Sequence, residues 1–248
     1  MLYFSKFDEQ IQENMKIHRF YINTPLQNKR EVEIKDHELI NQWKNVLRFN
    51  EEDKIILFDN SGYEFLFFIK EITDKRVRLV LLEEKKIDLG GGYDLHLIPA
   101  LIKKDMFELM LEKVTEIGVQ KFLPLLAERS IKNTLNLERS KSIIKEAAEQ
   151  SGKVRIPEIT EPEKLETILK NREVDRFYIA LDPKGEKFSK KVLTNKKVAV
   201  FVGPEGGFTE KELSLFKENN ISIVSLGEQI LRAETAAIAI TSILQLGE

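Results

Sequence analysis

Twice in its last fifth the chain runs through an apolar, β-branched stretch, breaks into a turn, and reopens as a helix. The first instance is Val198-Ala199-Val200-Phe201-Val202, followed by Gly203-Pro204-Glu205-Gly206-Gly207-Phe208-Thr209. The second is Ile221-Ser222-Ile223-Val224-Ser225, followed by Leu226-Gly227-Glu228-Gln229-Ile230-Leu231-Arg232-Ala233-Glu234-Thr235-Ala236. Neighbouring strand-to-helix turns of this kind belong at the carboxyl edge of a parallel sheet, where open α/β folds hold their ligands. The pair therefore points to a parallel α/β unit with a small-molecule site at one edge.

The rest of the second half agrees. Strands are predicted at Tyr93–Leu101, Lys121–Leu125, Asp175–Leu181, Lys197–Val202 and Ile221–Leu226. Helices are predicted at Lys104–Ile117, Glu138–Gly152, Thr209–Asn219 and Thr235–Leu246. The helix from Lys104 carries two apolar stripes, one through 106, 109, 110 and 117 and one through 107, 111 and 114, which predicts burial on both sides. Residues 15–87 read differently: short strands near 30–34, 54–58, 63–71 and 76–82, with one helix at Asp36–Val46, predict a small β-barrel. Gly90-Gly91-Gly92 has no strand before it and no helix after it, so residues 88–93 read as a linker. Residues 1–14 read as an extension ahead of a start at Met15, and residues 94–248 as the α/β domain.

Composition narrows the chemistry. The chain has no Cys, which removes thiolate metal sites and cysteine nucleophiles, and its three His are too scattered for a metal site. Catalysis must rest on carboxylates, Arg or Lys, hydroxyls, main-chain amides and a cofactor. With 42% apolar and 32% charged residues, no membrane-length apolar run and no apolar leader at the N-terminus, the expectation is a soluble cytoplasmic protein without a membrane partner. A net charge of −2 gives no global basic footprint but leaves room for a local basic patch.

The Gly203–Gly207 loop lacks both the Gly-Lys-Ser/Thr ending of a P-loop and the G-x-G-x-x-G of a dinucleotide fold, so neither a triphosphate nor a pyrophosphate fits it. Pro-Glu-Gly-Gly is also ordinary turn chemistry. Thr209 with Glu212 reads as the capping box of the next helix. In the second segment Arg232 and Glu234 stand among apolar neighbours, which predicts a buried Arg with a task or a structural Arg–Glu pair.

Together the two segments resemble the SPOUT methyltransferases, whose C-terminal chain forms a trefoil knot, and in particular the bacterial 16S rRNA uracil-N3 methyltransferase family. Lys103-Lys104-x5-Met110-x-Glu112-Lys113-x-Thr115-Glu116-Ile117-Gly118-Val119, Glu128-Arg129-Ser130 and Ala147-Ala148-Glu149-Gln150-Ser151-Gly152 match that family as well. His18-Arg19-Phe20 and Val46-Leu47-Arg48 are similar to its N-terminal PUA-like, RNA-binding barrel. One departure is Ala233, where the family often has Thr.

The resemblance implies a homodimeric, S-adenosyl-L-methionine-dependent enzyme acting on 16S rRNA of the small ribosomal subunit, with no metal and no DNA partner. It implies a dimer interface through the helices at 104–117 and 235–246. The cofactor is expected against Leu181, Gly203, Pro204, Glu205, Gly206, Gly207, Leu226, Gly227, Ile230, Leu231 and Arg232. For catalysis the expectation is Arg232 as stabiliser of a uracil anion, with Glu205 or Glu234 as proton acceptor. RNA contacts are expected from Arg19, Arg48, Lys103, Lys104 and Lys113, with a further basic cluster at Arg139, Lys141, Lys145, Lys153 and Arg155. Transfer from a sulfonium to nitrogen is an in-line displacement with no covalent enzyme intermediate, in keeping with the absent Cys. Methylation of a ribose 2′-hydroxyl or a guanine by another SPOUT enzyme, and a non-catalytic RNA-binding assembly factor, remain the alternatives.

Overall fold

The computed structural model describes residues 17–87, 92–193 and 195–246. Two compact units divide the chain between residues 89 and 90. The expected extension at 1–14 and residues 88–91 of the expected linker lie outside the described residues.

The N-terminal unit contains β1 (Arg19–Tyr21), β2 (Glu31–Ile34), α1 (His37–Asn41), β3 (Lys54–Phe58), β4 (Tyr63–Ile72) and β5 (Val77–Lys86). Its five strands form one sheet in the order β1-β3-β4-β5-β2, antiparallel except where β1 runs parallel to β3. Two register shifts between β4 and β5 curl the sheet into a half-barrel, the form that the expected small barrel takes. Alternate residues of β4, including Phe65, Phe67 and Ile69, fill the inside with Phe20, Trp43 and Leu57. The Asp36 carboxylate accepts the amides of Glu38 and Leu39 to start α1, which passes into a π-helical turn at Gln42–Val46 and so seats Trp43 in the core.

The C-terminal unit runs β6 (Asp94–Pro99), α2 (Lys104–Ile117), β7 (Lys121–Phe122), β8 (Leu125–Leu126), α3 (Leu137–Ser151), β9 (Glu158–Ile159), β10 (Glu163–Lys164), α4 (Leu165–Lys170), β11 (Phe177–Lys187), β12 (Lys197–Val202), α5 (Glu210–Glu218), β13 (Ser222–Ser225) and α6 (Ala233–Leu246). Six strands pair in parallel in the order β13-β11-β12-β6-β7-β9. Both faces are covered, so the strands are apolar on both sides. On β12, Val198, Val200 and Val202 join a core with α2, α3 and α6, while Ala199 and Phe201 join one with α4 and α5. Phe216 of α5 closes the second core, with ring centroids 4.9 Å from Phe201 and 5.0 Å from Phe208.

Several boundaries move. The 121–125 strand is two short strands, α4 has no counterpart in the expectation, and α6 begins at Ala233 rather than Thr235. Only one stripe of α2 is fully interior: Phe107, Leu111 and Val114 are buried, while Leu109 on the other stripe is 37% exposed. The largest departure is β11, expected to end at Leu181. It continues to Lys187, and both Leu181 and Glu186 pair with Val224 of β13, so residues 182–185 bulge out between them. Gly185 holds the base of that bulge; a Cβ there would lie 2.7 Å from main-chain atoms of Ile223 and Val224.

The amino edge of the sheet is closed by a polar network. Arg176, 7% exposed, donates to the Glu173 carboxylate at 3.1 Å, the Asp94 carbonyl at 2.6 Å, the Asp94 carboxylate at 3.2 Å and the Val198 carbonyl at 3.3 Å. His96 lies 3.8 Å from the carboxylates of both Asp94 and Glu173. Burial, followed by the charge of Arg176, pulls its pKa down to about 4 against the opposing pull of those carboxylates, so it is neutral at pH 7.

Candidate active site

At the opposite, carboxyl edge three segments converge on one cleft of about 580 Å³. They are the end of β11 with its bulge, the loop between β12 and α5, and the segment between β13 and α6. Of the residues expected to hold a cofactor, Leu181, Gly203, Pro204, Glu205, Gly206, Gly207, Leu226, Ile230, Leu231 and Arg232 line this cleft. Gly227 does not; with φ 150° it shapes the turn behind the wall, and Ser225 Oγ donates to its carbonyl at 2.7 Å. Gly207, at φ 68°, has open space where a Cβ would stand. At Gly203 a Cβ would come 3.2 Å from the Phe208 ring, so this residue is small because the core lies directly behind it.

The glycine loop is anchored at its far end. Thr209 Oγ1 accepts the Glu212 amide at 3.2 Å and the Glu212 carboxylate accepts the Thr209 amide at 2.8 Å, completing the expected capping box. Glu212 is 3% exposed, and its second oxygen accepts the Glu128 amide at 3.0 Å. Glu128 pairs in turn with Lys211 at 3.0 Å, which holds its carboxyl below the usual range. The segment around Glu128-Arg129-Ser130 is thereby fixed against the start of α5. Arg129 lines the cleft and donates from Nη1 to the Gly206 carbonyl at 2.8 Å.

The three residues expected to be catalytic are placed very differently. Glu205 is exposed on the cleft wall, and its Oε1 accepts the Lys103 amide at 3.2 Å. Arg232 is exposed, not buried as expected: its side chain projects from the non-helical approach to α6, and no ion pair holds it among the described residues. Glu234 is the buried member, 7% exposed in the first turn of α6, and lies outside the cleft lining. An Arg232–Glu234 pair does not form.

The expected RNA contacts also separate. Arg48 is exposed at φ 58°, and Lys103 and Lys104 are exposed at the start of α2, where Lys104 lies 3.7 Å from Glu108. Arg19 is committed internally, its Nε donating at 3.0 Å to Glu64, a carboxylate 3% exposed. Lys113 is held by Glu112 at 2.7 Å and Glu116 at 3.0 Å, which raises its pKa. In the further cluster Arg139 faces Glu108 at 3.7 Å and Lys141 faces Glu138 at 2.8 Å. Lys153 caps α2 by donating to the Ile117 carbonyl at 3.1 Å, and burial lowers its pKa.

The lining also includes residues outside the expected set, among them Arg129, Asp182, Pro183, Lys184 and Gln229. Asp182, 9% exposed, accepts the Lys184 amide at 2.9 Å, and Lys184 pairs with Glu210 at 3.1 Å, holding that carboxyl below its usual range. Arg129 stands inside the Glu128-Arg129-Ser130 motif, but nothing local ties it to a loop 77 residues away. Among the described residues no group of acidic or His side chains is placed to hold a metal ion, and no helix is long and apolar enough to cross a membrane.

A model of an RNA methyltransferase domain matches residues 92–245, and a model of an RNA methyltransferase PUA domain matches residues 44–82. The chain is 34% identical to the ribosomal RNA small subunit methyltransferase E of Rickettsia conorii, over 94% of this chain and 97% of that one. The solved ribosomal RNA small subunit methyltransferase E of Neisseria gonorrhoeae, bound to S-adenosylmethionine, superposes with a TM-score of 0.85 at 26% identity, covering 93% of this chain and 98% of that one. A Legionella pneumophila structure in complex with the same cofactor gives 0.84 at 28% identity, covering 94% and 98%. With a PUA unit ahead of a SPOUT-type α/β unit, and a match along nearly its whole length, the chain belongs to the RNA methyltransferase family that contains these small-subunit rRNA methyltransferases E.

Proposed function

We propose that this protein transfers a methyl group from S-adenosylmethionine to the N3 atom of a uridine in 16S rRNA. The observation that carries the reading is the convergence of three carboxyl-edge segments on one cleft, in a fold whose solved relatives hold that cofactor. The lining suits it. Leu181, Val202, Leu226, Ile230 and Leu231 supply apolar surface for an adenosine, and the Gly203–Gly207 main chain can approach closely. Charge is mixed, with Lys184 and Arg232 against Asp182 and Glu205, as a zwitterionic amino acid portion requires and a triphosphate does not. When bound, the cofactor supplies an electrophilic methyl group on a sulfonium.

The chain's own residues then have to position and deprotonate the uracil. For N3 to accept that methyl group, its own proton would have to leave. Glu205 is the acceptor the geometry favours, since it lies on the cleft wall, whereas Glu234 lies outside the lining. Arg232, exposed beside the cleft and without an ion pair among the described residues, stabilises the negative charge that develops on the uracil oxygens. The Watson–Crick edge must be free, so the target base is unpaired or flipped out.

Arg48, Lys103 and Lys104 are the exposed cations available for phosphate contacts, while Arg19 acts through Glu64 and Lys113 is muted by its own carboxylate neighbours. A homodimer through α2 and α6 is part of the reading; Leu109 and Ile243, each 37% exposed, and Leu246, 70% exposed, are apolar side chains that these helices leave uncovered. The site of action is the cytoplasm, where small subunits are made.

Incubation with undermodified small-subunit RNA, followed by nucleoside mapping, is expected to yield 3-methyluridine. A ribose or guanine product would sink the reading in favour of another SPOUT activity, and no binding of S-adenosylmethionine by calorimetry would sink every enzymatic reading. In the same assay Arg232→Ala is expected to lower transfer about a hundredfold, the usual scale for loss of one charge-stabilising donor.

A further inference from the structure

Within this reading of the cleft, the geometry points to Arg129 as a positioning residue that sets the shape of the glycine loop from outside it. Three contacts define the arrangement. Nη1 of Arg129 donates to the Gly206 carbonyl at 2.8 Å. The aliphatic stem of the same side chain occupies the space beside Gly206, where an added Cβ would meet Arg129 Cδ at 3.3 Å and Cβ at 3.6 Å. The main chain next to Arg129 is itself fixed, since the Glu128 amide donates at 3.0 Å to the buried Glu212 carboxylate and Glu128 pairs with Lys211. Arg129 is thus a strap with a fixed base and a charged end on the loop.

The strap acts at the part of the loop with the least internal support. Gly206 is exposed, Gly207 takes φ 68°, and the main-chain bond across the turn runs from the Gly207 amide to the Pro204 carbonyl at 2.8 Å. Glycine lowers the barrier to other conformations, so a turn with two of them needs an outside tether to stay in one. A charged donor on a carbonyl is the stronger kind of hydrogen bond. It polarises the Gly206 peptide without entering the reaction. Arg129 therefore acts on cofactor affinity through the loop, and a side chain at position 206 would press on the Arg129 stem.

The test uses the full chain with Arg129→Ala, Arg129→Lys, Gly206→Ala and the double variant. Calorimetry with S-adenosylmethionine is expected to show about a tenfold weaker dissociation constant for Arg129→Ala, or ~1.4 kcal/mol, with the thermal unfolding midpoint unchanged. Arg129→Lys keeps a stem and one charged donor, and is expected to return affinity to within about threefold of the unsubstituted protein. Gly206→Ala should cost about the same as Arg129→Ala, and the double variant no more than either alone, because both break the same contact. Hydrogen exchange in the 203–208 peptide should speed up in Arg129→Ala and nowhere else in the α/β unit. Unaltered affinity and unaltered exchange in Arg129→Ala, a Lys variant as weak as Ala, or losses that multiply in the double variant would each overturn the proposal. If the unsubstituted protein binds no S-adenosylmethionine, it is the reading of the cleft that fails, and exchange in the 203–208 peptide still decides for or against the strap.

Discussion

The strands β6, β11 and β12 end in a closed polar network at one edge and an open one at the other. At the amino edge all three guanidinium nitrogens of Arg176 are engaged by the chain's own carbonyls and carboxylates, and His96 is packed neutral between two of them. At the carboxyl edge Arg232 has no ion-pair partner among the described residues, and Gly207 faces open space. The same sheet supplies both. The difference teaches that burying an ionic group near a strand end does not mark function; a buried, fully answered cluster ties strands together, whereas polar groups left unanswered beside apolar walls can receive a guest.

The sharpest way to break this contrast is Arg176→Ala. It strands the Asp94 and Glu173 carboxylates and two main-chain carbonyls, and should destabilise the fold by about 3–4 kcal/mol in urea unfolding. Cofactor affinity of the molecules that remain folded should stay within about twofold. A parallel fall in affinity would mean that the two edges are energetically one unit.

Gly185→Ala is expected to act on both properties. Its Cβ would press on the β13 main chain at 2.7 Å, so the bulge must shift. A loss of about 2 kcal/mol in stability should accompany severalfold weaker S-adenosylmethionine binding, because the bulge carries Asp182, Pro183 and Lys184 into the cleft wall.

The amino edge should also announce itself in pH. His96 has a pKa of about 4 in the folded protein against an ordinary 6.5, so between those values the unfolded chain takes up a proton that the native chain refuses. Stability from this group is intact above pH 6.5, falls as pH drops toward 4, and is fully lost below it. His96→Gln cannot protonate, so its stability relative to the original should improve by about 2 kcal/mol, allowing for solvent screening, between pH 7 and pH 4. Urea titrations at both pH values measure this; an unchanged difference would place His96 outside the network.

The smallest effect is expected at Lys113→Ala. The exposed Lys113 bridges should be worth too little to move the thermal midpoint by more than ~1 °C, and loss of RNA affinity should be smaller than for Lys104→Ala.

Much of this was legible because it is written locally. Strand and helix alternation, the Thr209–Glu212 cap and two converging segments at one sheet edge follow from period and turn chemistry within a few residues, whereas the third segment, at Leu181, comes from the family resemblance alone. What was not legible depends on register. The second pairing of β11 with β13 makes the bulge that brings Asp182 to Lys184 into the site, and no pattern in 182–187 announces that the strand resumes. Arg129 meets Gly206 only after β8 and α5 are both in place. Arg232 was misjudged for the opposite reason: apolar neighbours in sequence suggested burial, but Ile230 and Leu231 are themselves 84% and 37% exposed.

The Glu212 carboxylate, finally, has consequences for what this chain can become. One oxygen answers the Thr209 amide and the other the Glu128 amide, in a site almost sealed from water. Gln has the same shape, yet whichever way its amide is turned, an NH2 group meets a main-chain N–H. Asp falls short by a methylene, and Ala abandons both amides. Drift at this position has no neutral step to take, and changes at Glu128, Arg129 or the glycine loop must be accommodated around it.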